Sequence, residues 1–220
     1  MSTLSPRTTP PLIGLCGGIG CGKSAAADFL TQVYDFTELS FAQRLKNLCV
    51  DLYQIDAENI FGTQEEKAAP IPHLGVVPLE AAGMGDPWPE RVGKPWTGRW
   101  VLEWMGTNAC RLVWGPVWVE SVRTQVTDRR KAHAENGGEA RHVVSDVRFQ
   151  NEADMIRELG GIVVRVEVDG YTPEATGHSS DAWYQDAEVD FIVRAPKPGL
   201  SVLHGELERV LERYDVGLPS

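Results

Sequence analysis

The chain has 220 residues, of which 42% are hydrophobic and 24% charged, the balance of a soluble globular protein large enough for a core of its own. With 31 acidic residues against 21 basic ones the net charge is −10, which argues against a large nucleic-acid footprint but not against a local basic pocket for a small anion. No run of about 18 apolar residues predicts a membrane span, and the cysteines at 16, 21, 49 and 110 lack metal-type pairing, reading as reduced thiols of a cytoplasmic protein.

Residues 1–10 are polar and read as a flexible tail without the apolar core of a signal peptide. The apolar run 12–16 reads as a buried strand. It leads into Gly17, Gly18, Ile19, Gly20, Cys21, Gly22, Lys23 and Ser24, which fit G-x-x-x-x-G-K-[ST] with Gly17 and Gly22 as the fixed glycines. A phosphate chain has to be wrapped by backbone N–H groups, and side chains would block that approach. The amides from Gly18 to Ala25 are therefore the candidate cradle for the phosphates of ATP. Lys23 brings a cation to the β- and γ-phosphates and Ser24 a hydroxyl to Mg²⁺. The alanine-rich stretch 25–30 predicts a helix whose positive end aims at the same anion. Strand, glycine loop and helix in this order are the context the motif requires.

A second strand is expected over 36–39, with Ser40 as the cap of a helix over 41–54 that carries Leu45, Leu48, Cys49 and Leu52 at helical spacing. Arg44 and Lys46 near its start read either as a solvated face or as contacts to the phosphate or sugar of a second substrate. Residues 61–97 mix prolines with glycines and hold no period, which reads as an irregular excursion, a lid or an acceptor-site insertion. Lys67, Arg91 and Lys94 are its candidate anion contacts. Thr97 predicts the cap of a helix over 98–113. Gly106 in its middle costs about 1 kcal/mol relative to Ala and suggests close approach by a ligand or another helix. The next helix is expected over 116–133. Trp100 and Trp104 read as core, and Trp118 as a base-stacking wall. The charge run 128–131 reads as a solvated, frayed helix end.

The stretch 142–146 reads as a β-branched strand that ends in the carboxylate of Asp146. Ligands of parallel α/β sheets sit beyond the carboxyl ends of the strands, so Asp146 is expected to face the phosphate loop and to hold Mg²⁺ directly or through water. Capping of a turn is its alternative role. Arg148 is placed to reach transferring phosphate oxygens. Asn151 predicts the cap of a helix over 152–159 that stops at Gly160-Gly161. Strands over 162–168 and 189–193 flank a polar loop holding His178, Ser179, Ser180 and Asp181, and an amphipathic helix over 200–214 closes the chain. The alternation predicts an α/β fold: one three-layer αβα P-loop domain with a central, mainly parallel sheet and an inserted helical or lid region.

Together these residues resemble the bacteriophage deoxynucleoside monophosphate kinases, a branch of the P-loop nucleotide kinases similar in fold to dephospho-CoA kinase. The resemblance covers about residues 12–211. It is carried by Gly17 to Ser24, by Phe41-Ala42 with Leu45-Lys46, and by Leu102 to Thr107 with Arg111. Its most specific part is Asp146-Val147-Arg148-Phe149 followed by Asn151-Glu152; Gly160-Gly161, His178 to Asp181 and Asp190 to Val193 extend it. It implies ATP- and Mg²⁺-dependent phosphorylation of a deoxynucleoside 5′-monophosphate, in the host cytoplasm if the gene is a phage's. Lys23, Asp146 and Arg148 would be the catalytic groups, and Ser24 and Asp146 the metal contacts. Phe41, Lys46, Arg99, Gly106, Thr107, Arg111 and Trp118 resemble the acceptor pocket, with Glu152 between the two nucleotides. Neither stable nucleic-acid binding nor a membrane is implied, and a homodimer is left open. One departure stands out: residues 170–187 contain no Arg or Lys, so a lid cation would have to come from Arg148 or from the 61–97 excursion.

Two other readings remain beside this one. A P-loop kinase could take another acceptor, a coenzyme A precursor or a modified base in DNA, although the acidic balance weighs against polymeric DNA. Alternatively, an ATPase switch would turn over ATP without any added monophosphate.

Overall fold

The computed structural model describes residues 11–84, 88–170, 183–214 and 216–218, so the expected role of residues 178–181 lies outside the described residues. The chain divides into two compact units, Met1–Phe41 with Val119–Ser220, and Ala42–Trp118.

The first unit is built on a sheet of β1 (Leu12–Cys16), β2 (Thr37–Leu39), β3 (His142–Val144), β4 (Ile162–Val168) and β5 (Phe191–Ala195), in the order β2-β3-β1-β4-β5. Every pairing is parallel. A parallel sheet is covered on both faces, which is why β1 and β4 are apolar almost without interruption. Ile13 and Leu15 pack with Ala26 and Leu30 of α1 (Lys23–Tyr34) and with Leu203 and Leu207 of the last helix (Leu200–Glu212). Gly14 faces the other side, where a Cβ would lie 2.4 Å from Ile156 Cδ1 of α7 (Gln150–Glu158). Helices on both faces of the sheet make the expected three-layer α/β sandwich.

Beside α7 runs α6 (Val117–Glu135). Its Arg123 meets Glu158 at 2.6 Å, and its Arg130 donates to the Leu159 carbonyl at 2.7 Å. The expectation of a solvated 128–131 run therefore fails at Arg130, which satisfies an orphan carbonyl at the end of α7. The stop at Gly160-Gly161 is a Schellman motif: Gly160 has φ 77°, and Gly161 and Gly160 donate to Ile156 and Arg157. Three boundaries move. Asn151 is not the cap of α7, because the N-cap position is Phe149. β5 starts at Phe191; just before it Asp190 donates its amide to the Val163 carbonyl at 2.9 Å, while its carboxylate accepts from the Val163 amide at 2.8 Å and meets Arg157 at 3.4 Å. The last helix ends at Glu212.

His142, at the start of β3, is 1% exposed, and its Nδ1 has no hydrogen-bond partner among the described residues. Burial, then the charges of Arg130 and Arg129 and nearby His133, push the imidazole down from 6.5 to about 4. An unfolded chain takes up that proton first. Its stabilising effect is complete above pH 6.5 and is lost as pH falls towards 4, an expected loss of about 3 kcal/mol from this group. Urea unfolding across pH 7 to 4 should show this slope, and His142→Leu should flatten it. An identical slope in the variant would rule out this assignment.

The second unit is wider than the 61–97 stretch, which carries short helical turns between irregular connections. It holds most of α2 (Phe41–Tyr53), then α3 (Ala57–Phe61), α4 (Gln64–Ala68), two 3₁₀ turns, Pro72–Leu74 and Leu79–Met84, and α5 (Gly98–Glu103). As expected, Thr97 caps α5, its hydroxyl accepting from the Trp100 amide. A π-helical turn, Trp104–Arg111, continues α5. Thr63 and Glu66 form a capping box on α4. The excursion has a core of its own: Trp100, Val77 and Ala81 are buried, with Trp88, Trp96 and Trp104 packed against them. Trp88 sits edge-on to Trp96, Trp100 and Trp104 at 6.1, 5.3 and 5.3 Å. A few indoles bury the area that a regular apolar period would otherwise supply.

Candidate active site

The loop after β1 is shaped by its glycines. Gly17, Gly20 and Gly22 have φ of 138°, 74° and 100°, where L side chains are strained. A Cβ at Gly17 would also lie 2.4 Å from the Val166 carbonyl oxygen and 2.8 Å from Cys21 Sγ. Gly22 occupies the N-cap position of α1 and brings no side chain over the first turn, whose amides are orphan donors in any helix. Gly18 and Cys21 are buried, while Ile19, Gly20 and Ser24 are exposed on the rim and Ala25 is half-buried. The Lys23 ammonium donates to the Gly17 and Gly18 carbonyls, each at 2.7 Å, and to Cys21 Sγ at 3.6 Å. The loop thus carries a cation at its centre and N–H groups along its wall, which is the chemistry of a polyphosphate site.

The expected strand through Asp146 stops at Val144, which pairs with Gly14, and Asp146 lies in the turn two residues further on. The chain crosses from one side of β1 to the other between β3 and β4, so this is the switch point of the sheet. Asp146 Oδ2 accepts from the Ser40 hydroxyl at 2.6 Å, and Oδ1 from the Phe41 amide at 2.9 Å. The carboxylate is therefore fixed against the start of α2, and Phe41, 4% exposed, is held with it. A carboxylate is a hard oxygen donor of the kind that suits Mg²⁺ or its water.

Arg148 is exposed. Its amide and that of Phe149 donate to one oxygen of Glu152, at 2.8 and 3.2 Å. Glu152 is 1% exposed. Its implied position between two nucleotides gives way to a supporting one: it pins the turn that presents Arg148.

In the second unit the expected acceptor residues fall into two groups. Lys46 lies 5.5 Å from the centre of the Phe61 ring, and Arg99 donates to Gln64. Burial, then the charges of Lys46 and Arg99, hold the Lys67 ammonium below the usual lysine range. These mutually repelling cations favour an anion among them. Thr107 and Arg111 instead line a cavity of about 590 Å³ with Met84, Trp88, Trp104, Asn108 and Leu112. Gly106 and Trp118 lie behind it. A Cβ at Gly106 would sit 2.8 Å from Leu45 Cδ2, and Trp118, 7% exposed, donates its indole N–H to the Gly106 carbonyl at 3.0 Å. Close helix approach explains the glycine, and packing occupies the tryptophan that had read as a stacking wall. Trp88 and Asn108 had no signal in the sequence beyond their neighbours: Asn108 shares a helix face with Trp104 at i,i+4 spacing, but nothing local shows that this face borders a cavity with Trp88.

The cysteines are free. Burial pushes the Cys16 thiol up to about 12 and Cys49 to about 11, so neither is a ready nucleophile. Among the described residues no helix is long and apolar enough to cross a membrane, and no three His, Cys, Asp or Glu side chains converge on a metal position.

No family model matches the sequence. A protein of Acanthamoeba polyphaga mimivirus named "Putative deoxynucleotide monophosphate kinase" is 34% identical over 174 residues, 77% of this chain and 80% of that one. Among solved structures, TT1252 from Thermus thermophilus aligns over 96% of this chain and 100% of its own at 13% identity and a TM-score of 0.47. Dephospho-CoA kinase from Campylobacter jejuni aligns over 94% and 98% at 14% identity and 0.43. The mimiviral relative aligns with most of both chains at an identity that marks common descent, and this chain belongs to the same nucleotide kinase family, the deoxynucleotide monophosphate kinases.

Proposed function

We propose that the protein transfers the γ-phosphoryl group of ATP to a deoxynucleoside 5′-monophosphate. An oxygen of the acceptor phosphate attacks the γ-phosphorus, the bond from that phosphorus to the β–γ bridging oxygen breaks, and ADP leaves. The observation that carries this reading is the lysine-bearing phosphate loop at the end of β1 beside a fixed carboxylate at the end of the adjacent β3. The acceptor class is suggested by the name of the mimiviral relative.

Ser24 and Asp146 are hard oxygen donors, which fit Mg²⁺ held mainly through nucleotide phosphates. When bound, that ion would neutralise phosphate charge. The protein's own part is positioning. The amides of residues 18–25 wrap the donor, and Lys23 turns from the loop carbonyls to its phosphates. Arg148 steadies the group in transfer, in place of the cation missing from residues 170–187. Arg111 holds the acceptor phosphate, Lys46, Arg99 and Lys67 form a separate cationic cluster that draws the anion in, and Phe41, Gly106, Trp118 and Glu152 serve as supporting residues within their own units. The two units serve as one kinase domain, with the excursion as part of its acceptor-binding insertion.

A coupled assay with ATP, Mg²⁺ and each of the four deoxynucleoside monophosphates tests this. ATP consumption should require one of them. An equal rate without any monophosphate would favour the ATPase-switch reading and refute ours.

A further inference from the structure

The cavity of the second unit has walls that phosphate chemistry leaves unused. Its volume of about 590 Å³ suits one small organic ligand. Two indoles form its apolar side, Trp88 and Trp104, with ring centres 5.3 Å apart and planes at 66°. They are not adaptable surface groups, because Trp88 is also braced edge-on by Trp96 and Trp100. Rigid indole faces backed by a core are stacking platforms for flat rings. Met84, 64% exposed, and Leu112, 82% exposed, lie on the rim. The polar lining is Thr107, Asn108 and Arg111. An aromatic wall, one primary amide and one guanidinium together complement a flat heteroaromatic ring that carries an anionic group.

We infer that this cavity takes the base of the acceptor nucleotide: one indole of the edge-on Trp88–Trp104 pair stacks on it while the other meets its rim, and Asn108 reads its edge. The inference rests on the kinase reading above and adds the residue that selects among bases. An asparagine amide presents a donor beside an acceptor, so it discriminates edges by their donor and acceptor pattern. Arg111 presents only donors and serves the phosphate end. The π-helical turn Trp104–Arg111 brings the stacking wall, the reader and the cation onto one stretch of chain.

The test is a titration of the intrinsic tryptophan fluorescence of the full chain with each deoxynucleoside monophosphate, without ATP. It is repeated on Asn108→Ala and Met84→Glu, both changed at exposed positions. The unmodified chain should respond to the monophosphates and rank them. Asn108→Ala should weaken the preferred one about tenfold and narrow the ranking. Met84→Glu should weaken all four through repulsion of the anion. Both variants should keep the KM for ATP. No response in the unmodified chain, or unchanged affinities and ranking in both variants, would overturn the inference. If the monophosphates bind as expected but accept no phosphoryl group, the kinase reading falls and the pocket stands.

Discussion

Lys23→Ala is expected to lower kcat by roughly 10³-fold, the scale of losing one cation aimed at developing phosphate charge. The fold should survive. The side chain is half-buried, and its bonds in the loop run to the Gly17 and Gly18 carbonyls, which turn to water at about 1 kcal/mol each. The melting temperature should therefore fall by only a few degrees. Lys23→Arg should recover little, because a planar guanidinium does not replace a compact ammonium in a loop shaped around it. Measuring kcat and thermal unfolding on the same preparations separates the two effects. Turnover near normal in the alanine variant, with its fold intact, would remove Lys23 from the chemistry.

Asp146→Asn should cost about 10²-fold or more in kcat, with a smaller change in stability. Asparagine keeps one oxygen to accept the Phe41 amide, and the Ser40 hydroxyl can reverse its bond towards the new NH₂ group. The clamp on the start of α2 then survives while the negative charge is gone. The substitution thereby separates the two roles of this carboxylate. If Asp146 merely holds α2, the rate will be close to normal. If it also positions Mg²⁺, the rate will collapse and the Mg²⁺ concentration needed for half-maximal activity will rise. A normal rate at a normal Mg²⁺ requirement would contradict the metal assignment.

Sequence periodicity was sufficient where one local rule dominated. The apolar runs of β1 and β4 admit only buried strands, and the glycine spacing before Lys23 admits few alternatives to a phosphate loop. Reading failed where a distant group decided. Asn151 has the chemistry of a cap, but Glu152 reaches back to two amides and the helix starts earlier. Asp190 adds a side-chain bond from the Val163 amide to its own backbone bond, and β5 lies over Phe191–Ala195 rather than 189–193. Arg130 lies in a charged run, yet the end of α7 gives it a carbonyl to satisfy. The excursion misled most. Its prolines and glycines suppress every period, and its core depends on tryptophans whose contacts run between segments. The candidate site divides in the same way: the donor side was written in a contiguous motif, whereas the cavity and the cation cluster exist only once those segments are packed.

The most direct measurement uses ATP labelled in its γ-phosphoryl group, with one deoxynucleoside monophosphate and Mg²⁺, and follows the label to its products. The account predicts label in the deoxynucleoside diphosphate, one for each ADP formed, and none transferred when the monophosphate is omitted. Label released as inorganic phosphate at the same rate with or without the monophosphate would contradict it.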